Sequence, residues 1–194
     1  MLNLTKEEIE LIKAESDEAE SIQRLTAKQL DLIYEREWFH LLVPLKIGGA
    51  EMPLPDFALF MEKLAQIDGS FAWNVNLGAG ANMFAGFLDP ATAKKLFSSK
   101  KTCVAGSGAV GGTAKKVEGG YVVQGNWKYA SGAAHASLFS FNAQLKDGEA
   151  YRSFLAPAKE VELKDTWKVE IMLQISTGSH FPQSLWRHTL NWTK

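Results

Sequence analysis

The chain has 194 residues, 46% of them hydrophobic and 22% charged, with a net charge of −1. These are values for a soluble globular chain of one large or two small domains, and they exclude a disordered tail, a collagen-like fibre and a global electrostatic field that recruits nucleic acid. One cysteine, Cys103, excludes an internal disulfide and suits a reducing cytoplasm; no apolar run is long enough to span a membrane, and the N-terminus lacks the apolar core of a signal peptide.

The averages conceal two halves. Residues 1–97 carry 9 Lys/Arg against 15 Asp/Glu, a net of −6, and residues 98–194 carry 12 against 7, a net of +5. Glycine is absent before Gly48, yet eight fall between Gly106 and Gly132.

The first half reads as helices. Thr5-Lys-Glu-Glu8 is a capping box, in which a Thr side chain and a Glu three residues on satisfy each other's backbone donors. Ile9, Ile12, Ala19 and Ile22 follow at helical spacing. Thr26-Ala-Lys-Gln29 is a second box, opening a helix to about Glu37 with Leu30, Ile33, Tyr34 and Trp38 as its stripe. Pro44 and Gly48-Gly49 break the chain. A third helix is expected from about Pro55 to Ile67, and Ser70 is expected to cap a short segment, Phe71 to Leu77. Asp89-Pro90 places a cap before a proline at the first helical position, starting a helix that ends near Phe97.

The second half reads as strands: Thr102–Ala105, Lys115–Glu118 and Tyr121–Gln124 about a Gly119-Gly120 turn, Trp127–Ser131, Leu138–Leu145 and Ala150–Ala156 about Lys146-Asp147-Gly148, and one between Val161 and Val169. Strands joined by hairpins predict an antiparallel sheet. The expected architecture is α+β: an N-terminal all-α domain over residues 1–100, an antiparallel β-barrel or sheet domain over 101–180, and an atypical tail over 181–194.

Several motifs fail on inspection. Gly106-Ser-Gly108-Ala-Val-Gly111 matches G-x-G-x-x-G, but no helix follows to hold a pyrophosphate, so it reads either as a plain flexible loop at a sheet edge or as a loop whose bare backbone allows a flat ligand to approach. His40, His135, His180 and His188 are scattered and predict no metal site. Ser131 and His135 are four apart but lack the G-x-S-x-G elbow of a hydrolase. Lys94-Lys95 and Lys100-Lys101 read as solvated helix ends. Trp127, Tyr129, Phe139, Phe141 and Tyr151 fit either core packing or a wall for a planar cofactor, with Ser131 and Gly132 able to offer a hydroxyl and a backbone amide to ring heteroatoms.

An ordered set of segments resembles the acyl-CoA dehydrogenase superfamily, and within it the flavin-dependent monooxygenase branch, the oxygenase component of two-component aromatic hydroxylases. The segments are Val43-Pro44 with Gly48-Gly49, Asp68-Gly-Ser-Phe-Ala-Trp73, Ala105-Gly-Ser-Gly108, Gly119 to Trp127, and Tyr129-Ala-Ser-Gly132 with His135; Asp165-Thr-Trp167 and Thr177-Gly-Ser179 add to them. The resemblance implies FAD or FMN lying against the β-domain, with Gly106 and Ser107 at the pyrimidine edge, Tyr129, Ala130 and Ser131 beside the ring and Ser131 near N5, and Trp127 in the same motif. It implies a small-molecule substrate, either an acyl thioester to oxidise or a small aromatic to hydroxylate, and a flavin reductase partner. No catalytic residue is assigned: the dehydrogenases' glutamate base belongs to a C-terminal helical bundle that the resemblance places beyond this chain, and the loop after Ser107 has Ala109-Val110 where the monooxygenases often have His-Pro. The apolar face such a bundle would bury predicts a homo-oligomer. The alternative reading is a truncated, non-catalytic remnant acting as a binding or assembly module.

Overall fold

The computed structural model describes residues 3–146, 148 and 150–164, and the backbone of two further short strands, 172–175 and 180–182. The expected motifs at Asp165–Trp167 and Thr177–Ser179, and the tail from residue 183 onward, lie outside the described residues. The chain divides into two compact units: residues 1–85 with 97–103, and residues 86–96 with 104–194.

The first unit is helical: α1 (Lys6–Ala14), α2 (Ser16–Ile22), α3 (Ala27–Glu35), α4 (Leu54–Ala65) and α5 (Gly69–Asn82). Both capping boxes form. Thr5 Oγ1 accepts from the Glu8 amide while Glu8 accepts from the Thr5 amide, and Thr26 and Gln29 do the same. The expected single helix through Ile22 is split at Glu15, which closes α1. The α5 helix starts earlier than expected and runs longer. Its cap is Asp68, whose carboxylate accepts from the Phe71 amide at 2.8 Å, so Ser70 lies inside the first turn.

The core of this unit gathers Ile12, Ile33, Trp38, Phe39, Phe60, Leu64, Phe71 and Val75, with the Trp38 ring edge-on to Phe60 and Phe71. The segment 97–103 returns to it: the buried Asn82 amide donates to the carbonyls of Phe39 (2.9 Å) and Thr102 (2.8 Å), and Lys100 pairs with Glu37 at 2.6 Å. Cys103 is buried here, and burial pushes its thiol up to about 12, so it is inert at neutral pH.

The second unit opens with α6 (Pro90–Leu96), where Asp89 accepts from the Thr92 amide at 3.0 Å. Among the described residues seven strands then form one sheet: β1 (Val104–Val117), β2 (Gly120–Trp127), β3 (Leu138–Leu145), β4 (Tyr151–Pro157), β5 (Glu162–Lys164), β6 (Met172–Ile175) and β7 (His180–Pro182). The order is β4-β3-β1-β2-β6-β5, with β7 also on β2. The α+β order follows the expectation from sequence, but the sheet is mixed, because β1 and β3 pair in parallel. A second difference is larger. The glycine-rich stretch after Ala105, read from sequence as a loop, is strand: β1 runs for 14 residues straight through it. The segment Trp127–Ser131, expected as a strand, ends its strand at Trp127 and turns.

The helical unit buries His40, and the sheet unit half-buries His135. His40 in the helical unit is 1% exposed, edge-on to Phe97, and burial lowers its pKa, with the Lys100 charge adding to the effect. Burial brings His135 in the sheet unit down to about 4. The unfolded chain binds protons at these sites near pH 6.5 and the folded chain resists them, so the stability they contribute is complete above pH 6.5 and is lost as the pH falls below it. For His135 the window ends near pH 4 and the loss amounts to about 3 kcal/mol. Urea melts at pH 7 and pH 5 are expected to show the loss, and His135→Gln to flatten it; an unchanged pH slope in the variant would refute the assignment.

Candidate functional site

The hairpin of β1 and β2 is closed at one end by Glu118-Gly119 and open at the other. Its antiparallel ladder runs from Val117 opposite Gly120 to Gly112 opposite Gly125. Beyond that point β1 continues toward its own N-terminus, and among the described residues 105–111 pair only on the β3 side. The chain after Trp127 also emerges at this end. The topology therefore brings Gly106 and Ser107 to the same end of the hairpin as Tyr129, Ala130 and Ser131.

Glycine sets the shape of this end. A Cβ on Gly106 would stand 2.0 Å from the Ser140 carbonyl oxygen, so only glycine allows β1 to run this close to β3. Farther along, Gly111, Gly112 and Gly125 share one neighbour. A Cβ on any of them would lie within 3.0 Å of the Trp127 indole, so the three glycines floor a trough in which that ring rests. Of the three glycines that resembled a nucleotide fingerprint, Gly106 makes room for Ser140, Gly111 makes room for Trp127, and Gly108 faces open space.

Trp127 is 0% exposed. Its indole N–H donates to the Asn142 carbonyl at 2.7 Å, and its ring lies 4.7 Å from Phe141, which stacks on Phe154, which in turn meets Tyr121 edge-on. Phe139 and Phe141 are equally buried. Of the two readings these aromatics allow, core packing holds for Trp127, Phe139 and Phe141, while Tyr129 and Tyr151 are exposed. A fully enclosed side chain presents no surface to a ligand.

The turn that follows is tightly specified. Tyr129 takes a left-handed backbone (φ 61°) and is 61% exposed; a non-glycine residue there costs roughly 1 kcal/mol and is held by its surroundings. Ala130 is fully buried and pins the turn, and its carbonyl accepts from the Ala133 amide at 3.1 Å. Gly132 is again left-handed (φ 81°). Between these two reversals Ser131 is exposed. His135, at the end of the short turn Ala133–His135, packs beside Gly132. Desolvation lowers its pKa and keeps it neutral near pH 7.

On the strand side, Gly106 and Ser107 are half-buried. Ser107 Oγ faces the Ala109 amide at 3.4 Å, inside a bulge at which β1 loses register with β3. Sequence reasoning missed the residue that ties this end together, Asn142 of β3; its only trace was a polar side chain in a strand of alternating aromatics. Among the described residues no group of three His, Cys, Asp or Glu is placed to hold a metal, and no helix is long and apolar enough to cross a membrane.

Residues 2–98, half of the chain, match the family Acyl-CoA dehydrogenase, N-terminal domain. The chain belongs to the acyl-CoA dehydrogenase family. Among its relatives, the flavin-dependent monooxygenase oxygenase subunit HsaA of Mycobacterium tuberculosis is 32% identical over 165 residues, 81% of this chain and 41% of that protein. The oxygenase component of p-hydroxyphenylacetate 3-hydroxylase from Acinetobacter baumannii is 28% identical over 183 residues, 92% of this chain and 43% of that protein. The acyl-CoA dehydrogenase-family chain thus spans less than half the length of these relatives. Its fold is that of XiaF from Streptomyces sp., solved with FADH2 and glycerol: the TM-score is 0.84 at 23% identity, over 91% of this chain and 48% of that one.

Proposed function

We propose that this chain acts as a flavin-dependent oxidoreductase of the monooxygenase type, using reduced FAD or FMN to hydroxylate a small aromatic substrate. The observation that carries the reading is the open end of the β1–β2 hairpin, where a strand edge without a partner among the described residues and an exposed, doubly reversed turn meet. That end fits the edge of a flat heteroaromatic ring. The bare backbone at Gly106 and Gly108 permits close approach, with open space around Gly108, and the strand edge, without a partner among the described residues, offers amides and carbonyls to ring heteroatoms. Ser107 and Ser131 supply hydroxyls that can donate, Tyr129 supplies an exposed ring, and Ala130 and Trp127 hold the turn from beneath.

When bound, a reduced flavin supplies the electrons and the oxygen activation that hydroxylation requires. The chain's own residues orient the ring by preplaced hydrogen bonds, which matter most where charge develops. The names of the relatives support an aromatic substrate over an acyl thioester and, as oxygenase components, a separate flavin reductase as partner. We extend the proposal to a cytoplasmic, self-associating protein.

Titration of the purified chain with FAD and FMN, read by quenching of flavin fluorescence, tests this directly. Retention is expected, and Ser131→Ala is expected to weaken it by about 3- to 10-fold, the worth of one hydrogen bond. No binding at high micromolar flavin would end the reading and leave the chain as a non-catalytic assembly module. Unchanged affinity in Ser131→Ala would remove Ser131 from the site.

A further inference from the structure

The bulge in β1 has an explicit cause. Ser107 lies opposite Phe141 and Val110 opposite Asn142, so Gly108 and Ala109 have no partner on β3; Gly112 is opposite Ala143, so Gly111 is skipped as well. Three residues of β1 are thus looped out against consecutive residues of β3, at the place where Ser107 faces the open end. Bulges re-aim side chains and need something to hold them.

Asn142 holds this one. Its Nδ2 donates to the Gly108 carbonyl at 2.7 Å, its Oδ1 accepts from the Ser153 hydroxyl of β4 at 2.5 Å, and its backbone carbonyl accepts from the Trp127 indole at 2.7 Å. The orientation of the amide is fixed by chemistry, since a carbonyl can only accept and so must meet the NH2 end. One residue therefore touches the bulge of β1, the neighbouring edge strand and the indole that ends β2. Because residues before the bulge and residues after Trp127 are the two halves of the candidate site, Asn142 is placed to set one against the other.

We propose that Asn142 is a positioning residue: by clamping Gly108 it holds the bulge open and aims Ser107 and the adjoining strand edge at the flavin. This rests on the flavin reading above, so one measurement is made on the flavin-free chain. Asn142→Asp keeps the size of the side chain and the acceptor for Ser153 but cannot donate to the Gly108 carbonyl, and it leaves the backbone bond to Trp127 in place. Asn142→Ser, uncharged and too short to reach, gives the same comparison if the aspartate variant does not fold. Asn142→Gln restores the donor.

In the flavin-free protein, amide exchange at Ser107 and Val110, the ladder residues that flank the bulge, is expected to accelerate at least tenfold in Asn142→Asp or Asn142→Ser, while the core strand residues Phe139 and Phe141 exchange as in the parent chain. Flavin affinity is expected to fall at least tenfold in the same variants and to recover in part in Asn142→Gln. Ser153→Ala, which cuts only the arm to β4, is expected to stay within threefold on both readouts. Exchange and affinity within twofold of the parent would overturn the proposal, as would acceleration spread evenly over the whole sheet, which marks a merely structural role. If the parent chain binds no flavin, the functional reading fails, and localised exchange at Ser107 and Val110 still decides whether Asn142 holds the bulge.

Discussion

Replacing Gly106 with alanine is expected to destabilise the sheet unit by about 3 kcal/mol or more, whereas the same change two residues on, Gly108→Ala, is expected to move stability by less than about 1 kcal/mol. Both are glycines of one strand, so intrinsic propensity predicts the same outcome for both. The surroundings differ. The new methyl at 106 would sit 2.0 Å from the Ser140 carbonyl oxygen, 2.3 Å from its Oγ and 2.8 Å from its carbonyl carbon. Two of these atoms are backbone of the partner strand, so no side-chain rotation relieves the clash and β1 must separate from β3. The pairs lost lie at the start of a parallel ladder in which Val104 to Ser107 face Leu138 to Phe141, beneath which Phe139 and Phe141 are buried. At 108 the methyl meets nothing within 4 Å. Urea melts of the two variants beside the parent chain decide the matter. Equal effects would mean that the strand tolerates separation at 106, and that its glycine is there for flexibility rather than contact.

That contrast also shows what could be read from the chain and what could not. The helix starts were legible because a cap is a local device: Thr5 with Glu8, Thr26 with Gln29 and Asp89 with Pro90 each carry their partner within three residues. The start of α5 was misplaced because Asp68 and Ser70 are both competent caps, and only the chain path selects between them. The hairpin at Gly119 was legible from its turn. The strand character of 106–112 was not, because glycine has low strand propensity and a cluster of glycines reads as a loop. What makes it a strand is an indole fifteen residues away from Gly112 that needs a floor without side chains. The parallel pairing of β1 with β3 was hidden for a related reason: alternation reveals a face but not a neighbour. Of the candidate site, Gly106, Ser107, Tyr129, Ala130 and Ser131 were picked out by family resemblance, and the topology carries them to one end of a hairpin. Asn142 was not picked out, since its importance lies wholly in three contacts with residues 11 to 34 positions distant.

Truncating that indole is the second large expected effect. Trp127→Ala is expected to cost about 4–5 kcal/mol, the upper end of what large-to-small changes cost in a core, and Trp127→Phe about 1–2 kcal/mol. The upper end follows from the floor of the trough. Cavities are cheapest where neighbouring side chains can lean in, and Gly111, Gly112 and Gly125 have none to lean. The opposite wall, Phe141, is already held by Phe154 at 5.9 Å and cannot follow the retreating ring without losing that stack. The alanine variant also strips the Asn142 carbonyl of its donor in a place shielded by the same ring. Phenylalanine keeps most of the volume and loses chiefly that hydrogen bond. Because Trp127 ends β2 immediately before the turn that carries Tyr129 and Ser131, the alanine variant is expected to abolish flavin retention even at temperatures where it remains folded, and the phenylalanine variant to retain flavin with weakened affinity. Urea melts paired with flavin titrations read both effects. A cost below about 2 kcal/mol for Trp127→Ala would mean that the strands close over the vacated trough, in which case the glycines are not a fixed floor; flavin binding undiminished in that variant would separate the turn from the ring beneath it.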